Sequence, residues 1–99
     1  MGCKVVIADS AIDDLRGIVA FIAQDDPTIA ARVGNRLIDF ALALGDFPER
    51  CPFFDEARGI RKTVLSPYLI FFTVDRTWPE SVNVIHFWHG ARQYPDFGT

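Results

Sequence analysis

Apolar side chains recur with the 3.6-residue period of an amphipathic helix through much of the first half of the chain. The first such stretch predicts a helix over about residues 11–25, which Asp26-Pro27 ends because proline cannot continue a helix. Ser10 is positioned to cap the first turn of this helix. Its apolar face consists of Ala11, Leu15, Ile18, Val19 and Ile22.

The same period resumes at Pro27, a favourable first residue for a helix, and continues until Gly45 and Pro48 close it. Its apolar side chains are Ala30, Val33, Leu37, Phe40, Ala41 and Leu44. Because so few residues separate the two stretches, the helices are predicted to form an antiparallel hairpin.

Runs rich in β-branched and aromatic residues predict strands over residues 4–8, 60–65, 68–75 and 81–89. The last three are joined by links too short for parallel crossovers, so they should form an antiparallel meander. Residues 48–59 contain two prolines and a glycine without any period, which predicts a loop. The order β-α-α-β-β-β indicates an α+β fold, with an N-terminal strand and a helical hairpin packed on one face of a small, mostly antiparallel sheet.

Every position from Tyr68 to Phe72 is apolar, so both faces of the central strand need to be covered. The helical hairpin covers one face. The other is covered either by a partner protein or by the loop that carries Phe53 and Phe54, and the pattern leaves both possibilities open.

The composition is that of one folded domain, residues 1–99, with 49% hydrophobic and 23% charged side chains. Its formal net charge of −3 disfavours strong direct binding to nucleic acid, since phosphate contacts depend on lysine and arginine. Residues 1–49 carry 4 basic and 8 acidic side chains, whereas residues 50–99 carry 6 and 5. An anionic partner would therefore meet the second half of the chain.

Cys3 and Cys51 stand in no spacing typical of a metal or redox site, so we expect two reduced thiols, no metal and no cofactor. The apolar run over residues 5–8 is too short for a secretion signal or a membrane span. The sequence thus predicts a cytoplasmic protein without direct membrane binding.

Several short segments together carry a family resemblance. They are Ser10-Ala11 with Asp14-Leu15 and Ile18, LGDFPER at residues 44–50, GIR at 59–61, PYLIFF at 67–72 and HGAR at 89–92. In this order and at this spacing, they resemble the ParE/RelE superfamily of bacterial toxin–antitoxin toxins, and its ParE branch in particular. The chain departs from the family pattern at Cys51, Phe72 and Gln93, where relatives commonly have Gly, Tyr and Asp.

The resemblance implies the toxin component of a type II toxin–antitoxin system, connected with growth inhibition and plasmid stabilisation. A ParE-like toxin would poison DNA gyrase by binding it, without catalysing a reaction of its own. It would be held inactive in a hetero-oligomer by a cognate antitoxin with a ribbon-helix-helix DNA-binding domain, whose C-terminal segment folds over the toxin.

The RelE branch implies an alternative, a ribosome-dependent mRNA interferase that cleaves RNA without a metal. Such an enzyme needs a base, an acid and cations for the transition state, and the sequence offers His89, Arg92, Tyr94 and Arg61. Strand alternation puts His86 and His89 on opposite faces, however, and the net charge is acidic. We therefore expect no catalytic residues and interpret HFWHGARQYPDF, residues 86–97, as a binding tail.

Tryptophan, tyrosine and arginine dominate protein–protein hot spots, and the second half of the chain is rich in them. The candidate contacts to the target are Arg58, Arg61, Trp78, Trp88, Arg92 and Tyr94, with Tyr68 of the same type. An antitoxin segment would use an apolar groove along the helical hairpin and an exposed sheet edge. The candidate contacts to the antitoxin are Val19, Phe21, Ile22, Phe40 and Leu44, although core packing explains each of them as well.

Overall fold

The computed structural model describes residues 3–77 and 79–91. Within them, five strands, two α-helices and a short 3₁₀ helix follow one another along the chain. The elements are β1 (Lys4–Ile7), α1 (Asp9–Ala23), α2 (Pro27–Ala43), the 3₁₀ helix (Pro48–Arg50), β2 (Phe53–Asp55), β3 (Ile60–Leu65), β4 (Tyr68–Asp75) and β5 (Ser81–His89).

The strands form one sheet in the order β1-β5-β4-β3-β2. Consecutive strands from β2 to β5 pair antiparallel, as the short links between them require, while β1 pairs in parallel with β5. The α+β fold with a helical hairpin and a mostly antiparallel sheet is confirmed.

The helical hairpin covers one face of the sheet and forms the main core with it. Val19 of α1 meets α2 at Gly34, where an added Cβ would lie 3.0 Å from the Val19 Cγ2, so the glycine lets the two helices approach closely. The buried members of this core are Ala11, Leu37, Ala41, Leu44, Ile70, Phe72, Val82, Val84 and Phe87.

A smaller cluster covers the opposite face of the sheet. Phe71 is fully buried there, and the ring of Phe54 meets it edge-on at a centroid distance of 4.9 Å. Of the two possibilities for this face, the structure favours shielding by the chain itself. The cluster comprises Ile60, Leu69 and Phe71, with Phe54, Ile85 and Trp88 against them.

The segment predicted as a loop, residues 48–59, is more regular than its sequence suggests. It contains the 3₁₀ helix and the three-residue strand β2, both too short to show a period. Arg61 of β3 holds the segment in place, because its guanidinium donates to the carbonyl oxygens of Cys51, at 2.5 Å, and Glu49, at 3.4 Å. The same guanidinium lies over the ring of Phe53 at 3.9 Å.

The prediction that Ser10 caps α1 is wrong. The helix begins at Asp9 with Ala8 at the capping position, and the Ser10 hydroxyl instead donates to the carbonyl oxygen of Ile85 in β5, at 2.6 Å. The capping residue that the structure does use is Asp26, which accepts hydrogen bonds from the first turn of α2.

A bulge interrupts β5. Phe72 lies opposite Val84 and Phe71 opposite His86, so Ile85 is an extra residue in the strand. The bulge changes which residues face the helices, because Val84 and Phe87 both join the main core. Strand β1 reaches only as far as Val84 in β5, so the second half of β5 is an edge that α1 must complete.

Candidate functional site

A cleft of about 570 Å³ lies between α1 and the neighbouring ends of β4 and β5. Six of its lining residues follow one another on α1 with the spacing of a single helix side. The described residues that line it are Asp13, Asp14, Gly17, Ile18, Phe21, Ile22, Tyr68 and His89.

The end of the sheet contributes two rings to this cleft. Tyr68 and His89 are paired across β4 and β5, and their rings meet edge-on at a centroid distance of 5.4 Å. The Nδ1 of His89 accepts a hydrogen bond from the backbone N–H of Ala91 at 3.0 Å. A neutral imidazole in this position therefore carries its proton on Nε2.

Asp14 forms part of the rim and also fastens α1 to β5. Its carboxylate accepts a hydrogen bond from the backbone N–H of Phe87 at 3.2 Å and lies 2.7 Å from the Nδ1 of His86. The Asp14 carboxylate and the Ser10 hydroxyl thus form hydrogen bonds with backbone groups of β5 that lie beyond the end of β1. The ring of His86 neighbours that of Trp88 at a centroid distance of 6.3 Å, whereas His89 lines the cleft.

Asp13 is the second carboxylate on the rim, and its side chain is largely exposed. It forms an ion pair with Arg16 across one helical turn, with an N–O distance of 3.8 Å. Among the described residues that line the cleft, none is lysine or arginine. The rim is therefore acidic.

The wall on α1 is apolar and partly uncovered. Phe21 is 72% exposed, a large exposed fraction for an aromatic side chain, and Ile18 and Ile22 are half-buried beside it. An added Cβ at Gly17 would meet no atom within 4 Å, so the cleft is open above that position.

The five residues predicted to bind an antitoxin lie in different environments. Phe21 and Ile22 line the cleft. Val19 lies against α2, Phe40 packs on the main core, and Leu44 belongs to that core with 7% of its surface exposed. Phe21 and Ile22 are therefore the members of this set that line the cleft, and Phe21 is the exposed one.

Of the residues predicted to bind a target, the three that the structure describes do not line the cleft. Arg58 pairs with Asp55 at 3.6 Å, and Trp88 is half-buried in the cluster on the opposite face. Arg61, also proposed for the nuclease alternative, holds the 3₁₀ segment. Trp78, Arg92 and Tyr94 lie outside the described residues.

Sequence reasoning missed the roles of Asp13, Asp14 and Gly17 in the cleft. Their spacing beside an apolar helix face is visible in the sequence, but the helix dipole also favours acidic residues near the start of a helix, so the pattern does not single them out. The contact between Asp14 and β5 depends on where β1 ends, which no local pattern indicates.

A second group of polar side chains lies at the other end of the sheet. Arg76 pairs with Glu49 at 3.2 Å and with Glu80 at 3.6 Å. Burial, and then the nearby carboxylates of Glu80 and Glu49, raise the pKa of the Cys3 thiol. Cys3 is therefore a protonated, weakly nucleophilic thiol near neutral pH.

Within the described part of the chain, no three His, Cys, Asp or Glu side chains are grouped so that they could hold a metal ion. Over the same residues, neither α1 nor α2 is long and apolar enough to cross a membrane.

Comparisons with known proteins give the family of the chain and solved structures that share its fold. The family model for the ParE toxin of type II toxin–antitoxin systems matches residues 5–94. The chain belongs to the ParE toxin family. It is thus a toxin of a type II toxin–antitoxin system, within the ParE/RelE superfamily.

Solved structures share the fold of this ParE family member. A chain of the chromosomal ParDE TA system from P. aeruginosa is 15% identical, with a TM-score of 0.73 over 88% of this chain and 95% of that one. A chain of the toxin–antitoxin complex RelBE2 from Mycobacterium tuberculosis is 22% identical, with a TM-score of 0.62 over 90% and 99%. No curated protein matches the sequence. Both branches of the superfamily thus share this ParE member's fold.

Proposed function

We propose that this toxin poisons DNA gyrase by binding it, without catalysing a reaction of its own. The observation that carries the proposal is the charge of the cleft that contains His89. Its rim holds the carboxylates of Asp13 and Asp14, and no lysine or arginine is among its described lining residues. An RNA phosphodiester would be repelled by these carboxylates, and the described lining offers no lysine or arginine to stabilise the transition state of its cleavage.

The hydrogen bond of His89 supports the same conclusion. A general base needs a free lone pair to take the proton of the RNA 2′-OH. In neutral His89, Nδ1 accepts the Ala91 N–H and Nε2 carries the proton, so neither nitrogen is available. The ring serves to hold the chain after β5.

The proposal includes a cognate antitoxin that neutralises the toxin in a cytoplasmic hetero-oligomer. We place the antitoxin segment in the cleft, where Phe21 and Ile22 offer accessible apolar surface. Its N-terminal part would be a ribbon-helix-helix domain bound to DNA. For gyrase, the candidate contacts remain Arg58, Arg61, Trp78, Trp88, Arg92 and Tyr94, with Phe21 reserved for the antitoxin.

The deciding experiment measures two activities of the purified protein side by side. Gyrase supercoiling and DNA cleavage are followed in one reaction, and mRNA integrity in a translation extract is followed in the other. We expect linear DNA to accumulate with gyrase while the mRNA stays whole. Cuts in ribosome-bound mRNA, with gyrase unaffected, would overturn the proposal in favour of the interferase.

His89→Ala separates the two mechanisms at the level of one side chain. A gyrase poison should keep its activity in this variant within about threefold once folding is verified by circular dichroism, because His89 has no chemical role. An RNA cleavage activity that disappears with His89→Ala would instead identify a catalytic base, since general acid–base groups contribute roughly 10²–10⁴-fold to rate.

A further inference from the structure

Gly17 lies in the middle of α1, where glycine is a poor choice for helix stability. Nothing within the described chain requires it, because an added Cβ would meet no atom within 4 Å. Gly34 is different, since a Cβ there would press on Val19. A glycine at position 17 therefore leaves the surface of α1 bare without serving the packing of the described residues.

The surroundings of Gly17 indicate what approaches it. It lies in the wall of the cleft, between the exposed carboxylate of Asp13 and the exposed ring of Phe21. A helix surface without a side chain lets the backbone of another chain come close. The cleft is thus shaped for a segment that crosses α1 at this glycine.

Charge and polarity define the chemistry of that segment. The wall formed by Ile18, Phe21 and Ile22 requires large apolar side chains, while Asp13 and Asp14 on the rim attract a cation. Arg16 pairs with Asp13 at 3.8 Å, but both side chains are largely exposed and such pairs contribute little, so a basic side chain of the partner is still complementary to the acidic rim. Residues 1–49, which contain this cleft wall, are acidic as a whole.

We propose that Gly17 is the point at which the antitoxin segment comes closest to α1, and that this segment carries a lysine or arginine for Asp13 beside apolar side chains for Ile18 and Phe21. The inference rests on the proposed function only in that the partner is an antitoxin. It does not depend on gyrase being the target.

The test uses the full chain and, as its probe, the purified product of the small reading frame adjoining the toxin gene. Binding is measured by isothermal titration calorimetry for the unchanged toxin, Gly17→Ala and Gly17→Trp. The matched control is Ala31→Trp, which adds the same bulk at an exposed position of α2 outside the cleft. We expect Gly17→Trp to weaken binding at least about tenfold, Gly17→Ala less, and Ala31→Trp less than about twofold.

Thermal unfolding separates a blocked cleft from a damaged fold. Because a Cβ at position 17 meets no atom of the described residues within 4 Å, Gly17→Ala should unfold at a temperature equal to or above that of the unchanged toxin. Weaker binding by a variant of equal or greater stability cannot come from loss of structure. Gly17→Trp should also keep its poisoning of gyrase while escaping neutralisation.

A charge exchange tests the predicted basic side chain. Asp13→Lys should weaken binding about threefold to tenfold, and replacing one lysine or arginine of the probe by glutamate should restore it. If Gly17→Trp binds the probe with the affinity of the unchanged toxin, the proposal is overturned. It is also overturned if Gly17→Trp abolishes a toxin homodimer while probe binding stays unchanged. If the toxin fails to act on gyrase but these binding results hold, the proposed target falls and this inference stands.

Discussion

At the scale of single residues, Asp14 connects structure with the candidate site more than any other side chain of the cleft. Its carboxylate forms hydrogen bonds with a backbone N–H of β5 and with the ring of His86, and it also lines the cleft. Asp13, its neighbour in the chain, shares the rim but is largely exposed. Adjacent carboxylates thus have different roles, which their positions in the sequence do not reveal.

Substitution of the two carboxylates should separate these roles. We expect Asp14→Ala to lower the free energy of unfolding by about 2–3 kcal/mol, because it removes two hydrogen bonds to a charged acceptor and leaves the Phe87 N–H without this partner. Asp13→Ala should change the free energy of unfolding by less than about 0.5 kcal/mol, since exposed ion pairs contribute little. Urea denaturation measures both, and equal effects would contradict the assignment.

Asp75 provides a pH-dependent prediction at the same scale. The hydroxyl of Thr77, and then its backbone N–H, donate to this carboxylate and hold the pKa of Asp75 below its usual range. A lowered carboxyl pKa stabilises the folded state above the pKa of the unfolded chain, about 4, and this contribution is lost as the pH falls through the lower pKa of the folded state.

Removing the hydroxyl should reverse part of this effect. In Thr77→Val we expect the pKa of Asp75 to rise towards its usual range, and the stability to fall less steeply with acid. An NMR titration of the Asp75 side-chain carboxyl carbon measures the pKa directly. An unchanged pKa would mean that the hydroxyl has no part in the shift. Asp55, whose carboxylate accepts no hydroxyl hydrogen bond from Thr77, serves as the internal reference.

At the scale of elements, the helices were predictable because each has a long stretch of periodic apolar residues and a clear end. The sequence left open whether a partner protein or the loop with Phe53 and Phe54 covers the second face of the sheet. Packing decided this alternative, because Phe54 covers Phe71. Strand β2, the bulge at Ile85 and the role of Ser10 could not be predicted, since each depends on a partner strand or helix far away in the chain. Local periodicity contains no information about such contacts.

The start of α2 allows a test of one element boundary. Asp26 accepts hydrogen bonds from the backbone N–H groups of Thr28, at 3.0 Å, and Ile29, at 3.1 Å. Asp26→Ala should therefore lower the free energy of unfolding by about 1 kcal/mol, the usual contribution of a capping side chain. The control is Asp25→Ala, whose exposed carboxylate caps no helix, and for which we expect a change below about 0.5 kcal/mol. Thermal unfolding monitored by circular dichroism measures both.

At the scale of the whole molecule, the sequence identified the family and the fold but only part of the site. Phe21 and Ile22 were predicted to contact the antitoxin and line the cleft, as does His89, a candidate only for the nuclease alternative. Arg61 was predicted to be a contact to the target and holds a loop segment. Side chains that bind partners and side chains that hold the fold are of the same types. Only their positions in space separate them.

The acidic balance of the molecule yields a prediction about nucleic acid. A fluorescently labelled RNA of about 20 nucleotides should bind the isolated toxin more weakly than the roughly 10⁻⁴–10⁻⁶ M typical of non-specific nucleic-acid binding at physiological salt. Fluorescence anisotropy measures this affinity. Tighter binding that falls steeply with salt would reveal a basic surface and would weaken the case for a protein target.

The parallel pairing of β1 with β5 has a consequence for the synthesis of the protein. The first strand finds its partner only when the last one has been made, because Lys4–Ile7 lies against Ser81–Val84. Until then the helical hairpin has no complete sheet to cover its apolar side, and pairing between such distant segments is slow. We therefore expect the chain to fold, and to become toxic, only after the ribosome has made β5.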